Sequence, residues 1–135
     1  MKITGTFLDE ITHDIPSNNW GREEWAREFQ IMKGIGIDTV ILIRSGCGRI
    51  ASYPSPVLER EADIYPVYED LVDMFLSLAE ENAMTFFFGT YDSVSHTKQE
   101  RTIQEHLDLG RALIDEAWDR YGDRAAFKGW YLTFE

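Results

Sequence analysis

A single cysteine, Cys47, rules out an intrachain disulfide in this chain of 135 residues. No apolar run comes near the ~18 residues of a membrane-spanning helix. A leader pattern is missing as well, since Met1-Lys2 runs directly into a strand-like segment, and the compartment stays open. Cations are scarce: 13 Lys and Arg face 24 Asp and Glu, for a net charge of −11. Phosphate recognition needs clustered Lys and Arg, so no nucleic-acid partner is expected, nor adsorption to an anionic membrane. Metal-ligand spacing is missing too. His13, His96 and His106 make no His-x-His or His-Glu-x-x-His pattern and no cysteine pair exists, so neither metal nor cofactor is expected.

What is present is an ordinary globular balance, 44% hydrophobic and 27% charged, with a high aromatic share of 13%. Four Trp and six Tyr suit either a large apolar core or stacking against sugars. Ile3 to Leu8 reads as a strand, and the turn formers Pro16, Ser17, Asn18 and Asn19 lead into a helix. Between Gly21 and Lys33, the residues Trp25, Phe29 and Met32 recur at i, i+4 and i+7, and Gly34 and Gly36 stop the helix. Thr39 to Ile43 is a continuous, β-branched run, as in a parallel strand covered on both faces. Ser45 to Tyr65 reads as irregular. Pro66 suits the first turn of a second helix, with Glu69 and Asp70 at its positive end. Tyr68, Leu71, Val72, Phe75, Leu78 and Ala79 continue it at helical spacing. Met84 to Phe88 is a third strand. A long helix then carries Ile103, Leu107, Leu113, Ile114, Ala117, Trp118 and Tyr121, and Gly129 to Phe134 is a fourth strand.

The order β-α-β-α-β-α-β, with no hairpin signal, implies a parallel sheet with right-handed crossovers. The expected fold class is α/β, with strands 1 to 4 of a TIM-type (β/α)8 barrel. Such a barrel takes ~250 residues, so residues 1–135 read as a single domain forming its front half. A longer chain or a second copy, as a homodimer, would complete it; a free-standing four-stranded domain is the remaining alternative.

Ligands of parallel α/β folds meet the loops after the C-terminal strand ends. Here those loops carry Asp9, Glu10, His13 and Asp14; then Arg44, Ser45 and Cys47; then Tyr91, Asp92 and Ser93; and finally Glu135. Trp20 and Tyr53 lie in loops beside them. Converging carboxylates suit acid/base work on glycosidic bonds, an Arg can hold a carboxylate ionised, and aromatic loop residues can stack on sugars. Plainer readings stand beside these. Asp9, Glu10 and Asp14 fit a solvated loop equally well, Arg44 fits a structural ion pair, and Trp20 fits a staple on the first helix. Trp25, Trp118 and Trp130 read as core. Cys47 has no His placed beside it to make a nucleophile. The run Gly46 to Ala51 matches G-x-G-x-x-A, but Tyr53-Pro54-Ser55-Pro56 breaks the helix a dinucleotide site needs, so it reads as a loop.

Several segments together resemble one bacterial domain family. Gly5-Thr6-Phe7-Leu8-Asp9-Glu10, Asn19-Trp20-Gly21 with Trp25, and Thr39 to Arg44 resemble the opening of the DUF4434 family. Tyr53-Pro54-Ser55 and Gly129-Trp130-Tyr131-Leu132 with Glu135 do so as well. The resemblance covers the N-terminal half of the family domain. It implies a TIM barrel similar to glycoside hydrolases, with Glu135 at the strand-4 position of the acid/base residue and a carbohydrate as partner. Arg44 matches in kind an Arg common near the end of strand 2. Phe134 stands where that clan has Asn, which departs from the pattern beside Glu135. The leading expectation is a glycoside-hydrolase-like domain with Glu135 as acid/base and Asp9, Glu10, Trp20, Arg44, Tyr53, Tyr91 and Asp92 binding substrate. A non-catalytic carbohydrate-binding or scaffold domain is the alternative, and a metal-dependent hydrolase using Asp9, His13 and Asp14 is the weaker rival.

Overall fold

Burial alternates along the strands, and this sets the architecture. In the computed structural model, residues 1–93 and 101–133 are described. The elements are β1 (Gly5–Leu8), α1 (Arg22–Gly34), β2 (Thr39–Leu42), β3 (Gly46–Cys47), β4 (Ile50–Ala51) and α2 (Pro56–Ala62). They continue as α3 (Leu71–Glu81), β5 (Thr85–Gly89), β6 (Tyr91–Asp92), α4 (Ile103–Tyr121) and β7 (Phe127–Tyr131). The main sheet runs β1-β2-β5-β7, parallel throughout. Leu8, Val40, Leu42, Phe86 and Phe88 point to the helices and are buried. Phe7, Ile41 and Phe87 align in register on the opposite face.

That opposite face is concave. Neighbouring strands lie about 4.8 Å apart, so the first and fourth strands of a flat sheet would be separated by about 14 Å. Phe7 of β1 and Tyr131 of β7 nevertheless meet edge to face, with ring centroids 5.1 Å apart. The sheet therefore curls, as the strands of a (β/α) barrel do. Gly129 permits the curl to be filled: a Cβ there would stand 2.8 Å from the Phe87 ring.

Helix α1 buries Trp25, Phe29 and Met32, each contributing about 2–3 kcal/mol by leaving water. Its start is fixed by Glu24, which accepts from the Gly21 N–H at 3.0 Å. Trp20 packs on Trp25 with ring centroids 5.1 Å apart, a hydrophobic staple across the first turn. Helix α4 starts with a capping box, in which Thr102 and Glu105 each accept from the other's backbone N–H. Among the described residues no helix is long and apolar enough to cross a membrane.

Several local expectations are corrected. Residues Gly46–Cys47 and Ile50–Ala51 form an antiparallel hairpin where a plain loop was expected, with Gly48 at φ 58° supplying its turn. Two-residue strands have no readable period; this hairpin exists because β3 pairs with β6. The stretch read as irregular also contains α2, capped by Ser55, whose hydroxyl accepts from Leu58 N at 3.0 Å, with Pro56 at its first turn. Pro66 opens no helix. Asp70 caps α3 instead, accepting from Asp73 N at 2.9 Å, so Tyr68 lies outside the helix and exposed. On α4 the buried stripe is Leu109, Leu113, Ala117 and Tyr121, while Ile103, Leu107 and Trp118 stay exposed. Trp118 was read as core; 55% of it faces solvent, one side touching Phe127.

Among the glycines, the closest approach is at Gly89, where a Cβ would lie 2.0 Å from the Leu42 carbonyl oxygen of β2. No rotamer relieves a clash with backbone. Gly89→Ala is expected to cost at least about 3 kcal/mol, read as a lowered urea midpoint. An unchanged midpoint would mean that β2 and β5 do not cross this closely.

Candidate functional site

The loops leaving the C-terminal ends of β1, β2 and β5 gather on one rim of the curled sheet. Backbone and hydroxyl bonds tie them together. Ser45 N–H donates to the Thr90 carbonyl at 3.2 Å, and the Ser52 N–H and hydroxyl both donate to the Ser45 carbonyl at 2.8 Å. Past β7, the Thr133 hydroxyl donates to the Ile43 carbonyl at 2.7 Å and its N–H to the Thr90 hydroxyl at 2.9 Å. Thr133 thus brings the end of β7 onto the same rim. Glu135, and Phe134 before it, lie outside the described residues, as does His96.

At the centre, Arg44 Nη1 lies 3.1 Å from Asp92 Oδ2. Both are largely buried, so the pair is only weakly screened by solvent. Arg44 Nε is buried with no partner among the described residues. Cys47 Sγ sits 4.0 Å from Arg44 Nη1. Burial first, and then the Asp92 charge, push this thiol upward, which opposes the thiolate a nucleophile needs.

The β1 loop carries the two carboxylates expected there, and they do different things. Asp9 accepts from the N–H groups of Ile11 and Thr12 at 3.2 Å each and from the Thr12 hydroxyl, so it knits its own turn. Glu10 turns back under the loop and is nearly buried. Trp25 Nε1 donates to Glu10 Oε2 at 2.5 Å. Burial, reinforced by the charge of Glu69 and partly offset by the Trp25 bond, pushes Glu10 up to about 7. A carboxyl near neutrality at a strand C-terminus is suited to giving or taking a proton.

The aromatic expectations divide. Trp20 is partly buried and spends one face on Trp25. Together with Phe7, Asp9 and Met32 it walls a groove of about 350 Å³ along β1. Tyr91 is buried, and its hydroxyl donates to the Gly48 carbonyl at 2.8 Å, bracing the hairpin. Tyr53 stands apart from the rim surface with 0% exposure. Its ring packs on Phe88 and Tyr121, and its hydroxyl donates to Glu116 Oε2 at 2.8 Å. It has no free face for a sugar because those core rings and Glu116 occupy its surroundings.

Glu116 had no signal in the sequence. Besides Tyr53 it accepts from the Ser55 hydroxyl at 2.5 Å and Val57 N at 3.0 Å, fastening α2 to α4. Beside the rim, a cavity of about 550 Å³ opens between α4 and Leu132. There Ser93 Oγ lies 2.8 Å from His106 Nδ1. Among the described residues no three His, Cys, Asp or Glu side chains are grouped to hold a metal ion, so Asp9, His13 and Asp14 form no such set.

Glu10 makes stability pH-dependent. Its folded value lies above its ordinary 4.5, so between 4.5 and about 7 the native state holds a proton that the unfolded chain has released. The stability it gives as a neutral group is complete below 4.5 and is lost as pH rises through about 7. The span is worth up to about 3 kcal/mol. Gln keeps the Trp25 bond without the charge. Glu10→Gln is thus expected to raise the urea midpoint at pH 8 and to leave it nearly unchanged at pH 4.5. An equal effect at both pH values would contradict this.

Comparison with known proteins adds identity to this geometry. No curated protein matches. One solved structure, from Bacteroides thetaiotaomicron VPI-5482, bears the provisional name alpha-L-fucosidase. It is 51% identical, superposes with a TM-score of 0.85 and is matched over 98% of this chain. The present chain spans 41% of that chain's length. The four parallel strands and their helices accordingly form a glycoside-hydrolase-like α/β fold, consistent with a partial TIM-type unit. Residues 3–135 match DUF4434, a domain of unknown function, and the chain belongs to that family.

Proposed function

We propose that this chain supplies the first four strands, with the helices between them, of a (β/α)8 barrel that binds and cleaves an oligo- or polysaccharide at the rim described above. The observation that carries the reading is the company at that rim. A desolvated Arg44–Asp92 pair and a carboxyl poised near neutrality, Glu10, sit at the C-terminal mouth of a curled parallel sheet. Support for the missing units comes from the share of the Bacteroides chain that is matched, 41%. Uncovered apolar residues on α4 (Leu107 and Trp118) agree with it, since a next helix would pack there.

In this reading Arg44 pairs with Asp92 and fixes its carboxylate at the rim. Asp9 and Trp20 shape the β1 side of the cleft, and Tyr91 fixes the hairpin that walls it. Tyr53 acts from the core, by holding Glu116 and hence α2. Glu135 is the proposed acid/base residue, on the strength of the family resemblance, with its partner carboxylate on a later strand. Hydrolysis of a glycosidic bond needs that pair.

The 135-residue chain is therefore expected to bind oligosaccharides yet to leave aryl glycosides, aryl α-L-fucoside included, at the background rate. Turnover by this chain that Glu135→Gln abolishes would keep Glu135 and remove the need for later strands. Turnover indifferent to Glu135→Gln would remove Glu135.

A second reading, carbohydrate binding without catalysis, is favoured by one fact. Three rim carboxylates are already engaged: Asp9 by its own loop, Glu10 by Trp25 and Asp92 by Arg44. It is separated by a form carrying the further units: turnover lost on Glu135→Gln supports catalysis, and binding without turnover supports the alternative.

A further inference from the structure

The segment from Asp63 to Asp70 joins α2 to α3 with no regular structure, yet it is fastened at many points. Tyr65 N–H donates to the Arg49 carbonyl at 2.7 Å, and Arg49 Nε donates to the Asp63 carbonyl at 2.7 Å. Arg49 also pairs with the Asp63 carboxylate at 2.9 Å. Leu71 N–H, just beyond, donates to the Ser52 carbonyl at 2.8 Å. Ile64 is buried and Val67 packs against the core, so both anchor the segment from within. Pro66 restricts the backbone between them.

What this braced segment displays is two tyrosines. Tyr65 and Tyr68 alternate with the anchors Ile64 and Val67 and face outward, 54% and 96% exposed. The Arg49 guanidinium lies 4.4 Å from the Tyr65 ring centroid, covering one face and leaving the other open. Tyr68 has no ring or cation partner among the described residues. Large rings are normally shown to water singly and on no particular support. Here both stand on an ordered backbone, so little conformational entropy is left to lose when a ligand stacks on them.

Their place in the fold is the functional rim. The segment lies in the long connection from the C-terminal end of β2 to the start of α3. Its Glu69 is close enough to act on the Glu10 carboxyl, and Arg49 is the turn of the hairpin that pairs with β6. Neither Trp20, stapled to Trp25, nor Tyr53, buried, offers an open platform. Tyr65 and Tyr68 do.

We propose that Tyr65 and Tyr68 form a stacking platform for sugar rings of a neutral oligosaccharide, outside the position where the bond is cleaved. This rests on the carbohydrate reading above. Flat C–H faces of pyranose rings match exposed aromatic faces. The net charge of −11 favours a neutral glycan over an acidic one.

The test is calorimetric titration of the chain with cello-, manno- and malto-hexaose, 2′-fucosyllactose and an acidic control, oligogalacturonate. Tyr68→Ala and Tyr65→Ala are each expected to weaken the best neutral ligand about fivefold or more. Tyr68→Phe should keep the affinity, because the ring and not the hydroxyl stacks. The thermal midpoint of Tyr68→Ala should stay unchanged, since Tyr68 is 96% exposed. Neutral-sugar binding that survives the double Tyr65→Ala/Tyr68→Ala variant overturns the platform and leaves the carbohydrate reading standing. Failure of the wild-type chain to bind any of these sugars overturns both, and tighter binding of oligogalacturonate overturns the neutral-ligand assignment.

Discussion

Everything at the rim depends on how closely β2 and β5 cross. At Gly89 the β5 backbone passes so near the Leu42 carbonyl that no side chain fits. That approach lets the next residues, Thr90 to Asp92, bend onto the β2 loop. Thr90 then takes the Ser45 N–H, β6 pairs with β3, and Asp92 comes within 3.1 Å of Arg44. Remove the close approach and the hairpin loses its partner strand, the ion pair loses its geometry, and the long β2 connection loses its footing. One glycine thus links sheet curvature to the chemistry that the rim can support.

The rim also shows a division of labour between carboxylates that stand side by side in sequence. Asp9 remains in reach of water and is consumed by local hydrogen bonds, whereas Glu10 is drawn inward by the Trp25 indole and pushed towards neutrality. Environment, not residue type, separates them. The same reasoning sets Glu116 apart. It is an acid whose three donors make it a structural fastener rather than a reactive group.

Much of the fold was legible because long elements carry period. Trp25, Phe29 and Met32 announced α1, and the β-branched run from Thr39 announced β2. The staple between Trp20 and Trp25 was readable as well, from their places just before and inside the helix. Short elements were not legible. The hairpin at Gly46–Ala51 is made by pairing with β6, a contact remote in sequence, and α2 was hidden between prolines although Ser55-Pro56 is a sound helix start. Pro66 and Asp70 offered rival starts for α3, and the carboxylate that accepts Asp73 N prevailed. Side-chain roles were the least legible. Nothing in the sequence separates Tyr53, sealed among Phe88 and Tyr121, from Tyr68, which faces solvent, because the difference lies in what surrounds them. Glu135, proposed as the acid/base residue from the family resemblance alone, lies outside the described residues.

The central claim is that this chain meets carbohydrate at the C-terminal rim of its strands. The most direct measurement is a backbone-amide chemical-shift map recorded while a bound oligosaccharide is titrated in. The account predicts shifts clustered at Asp9 and Glu10, Arg44 to Tyr53, Tyr65 to Tyr68 and Thr90 to Ser93. Shifts gathered instead at the opposite rim, around Ile35 to Asp38, Asn82 to Met84 and Gly122 to Ala126, would contradict it.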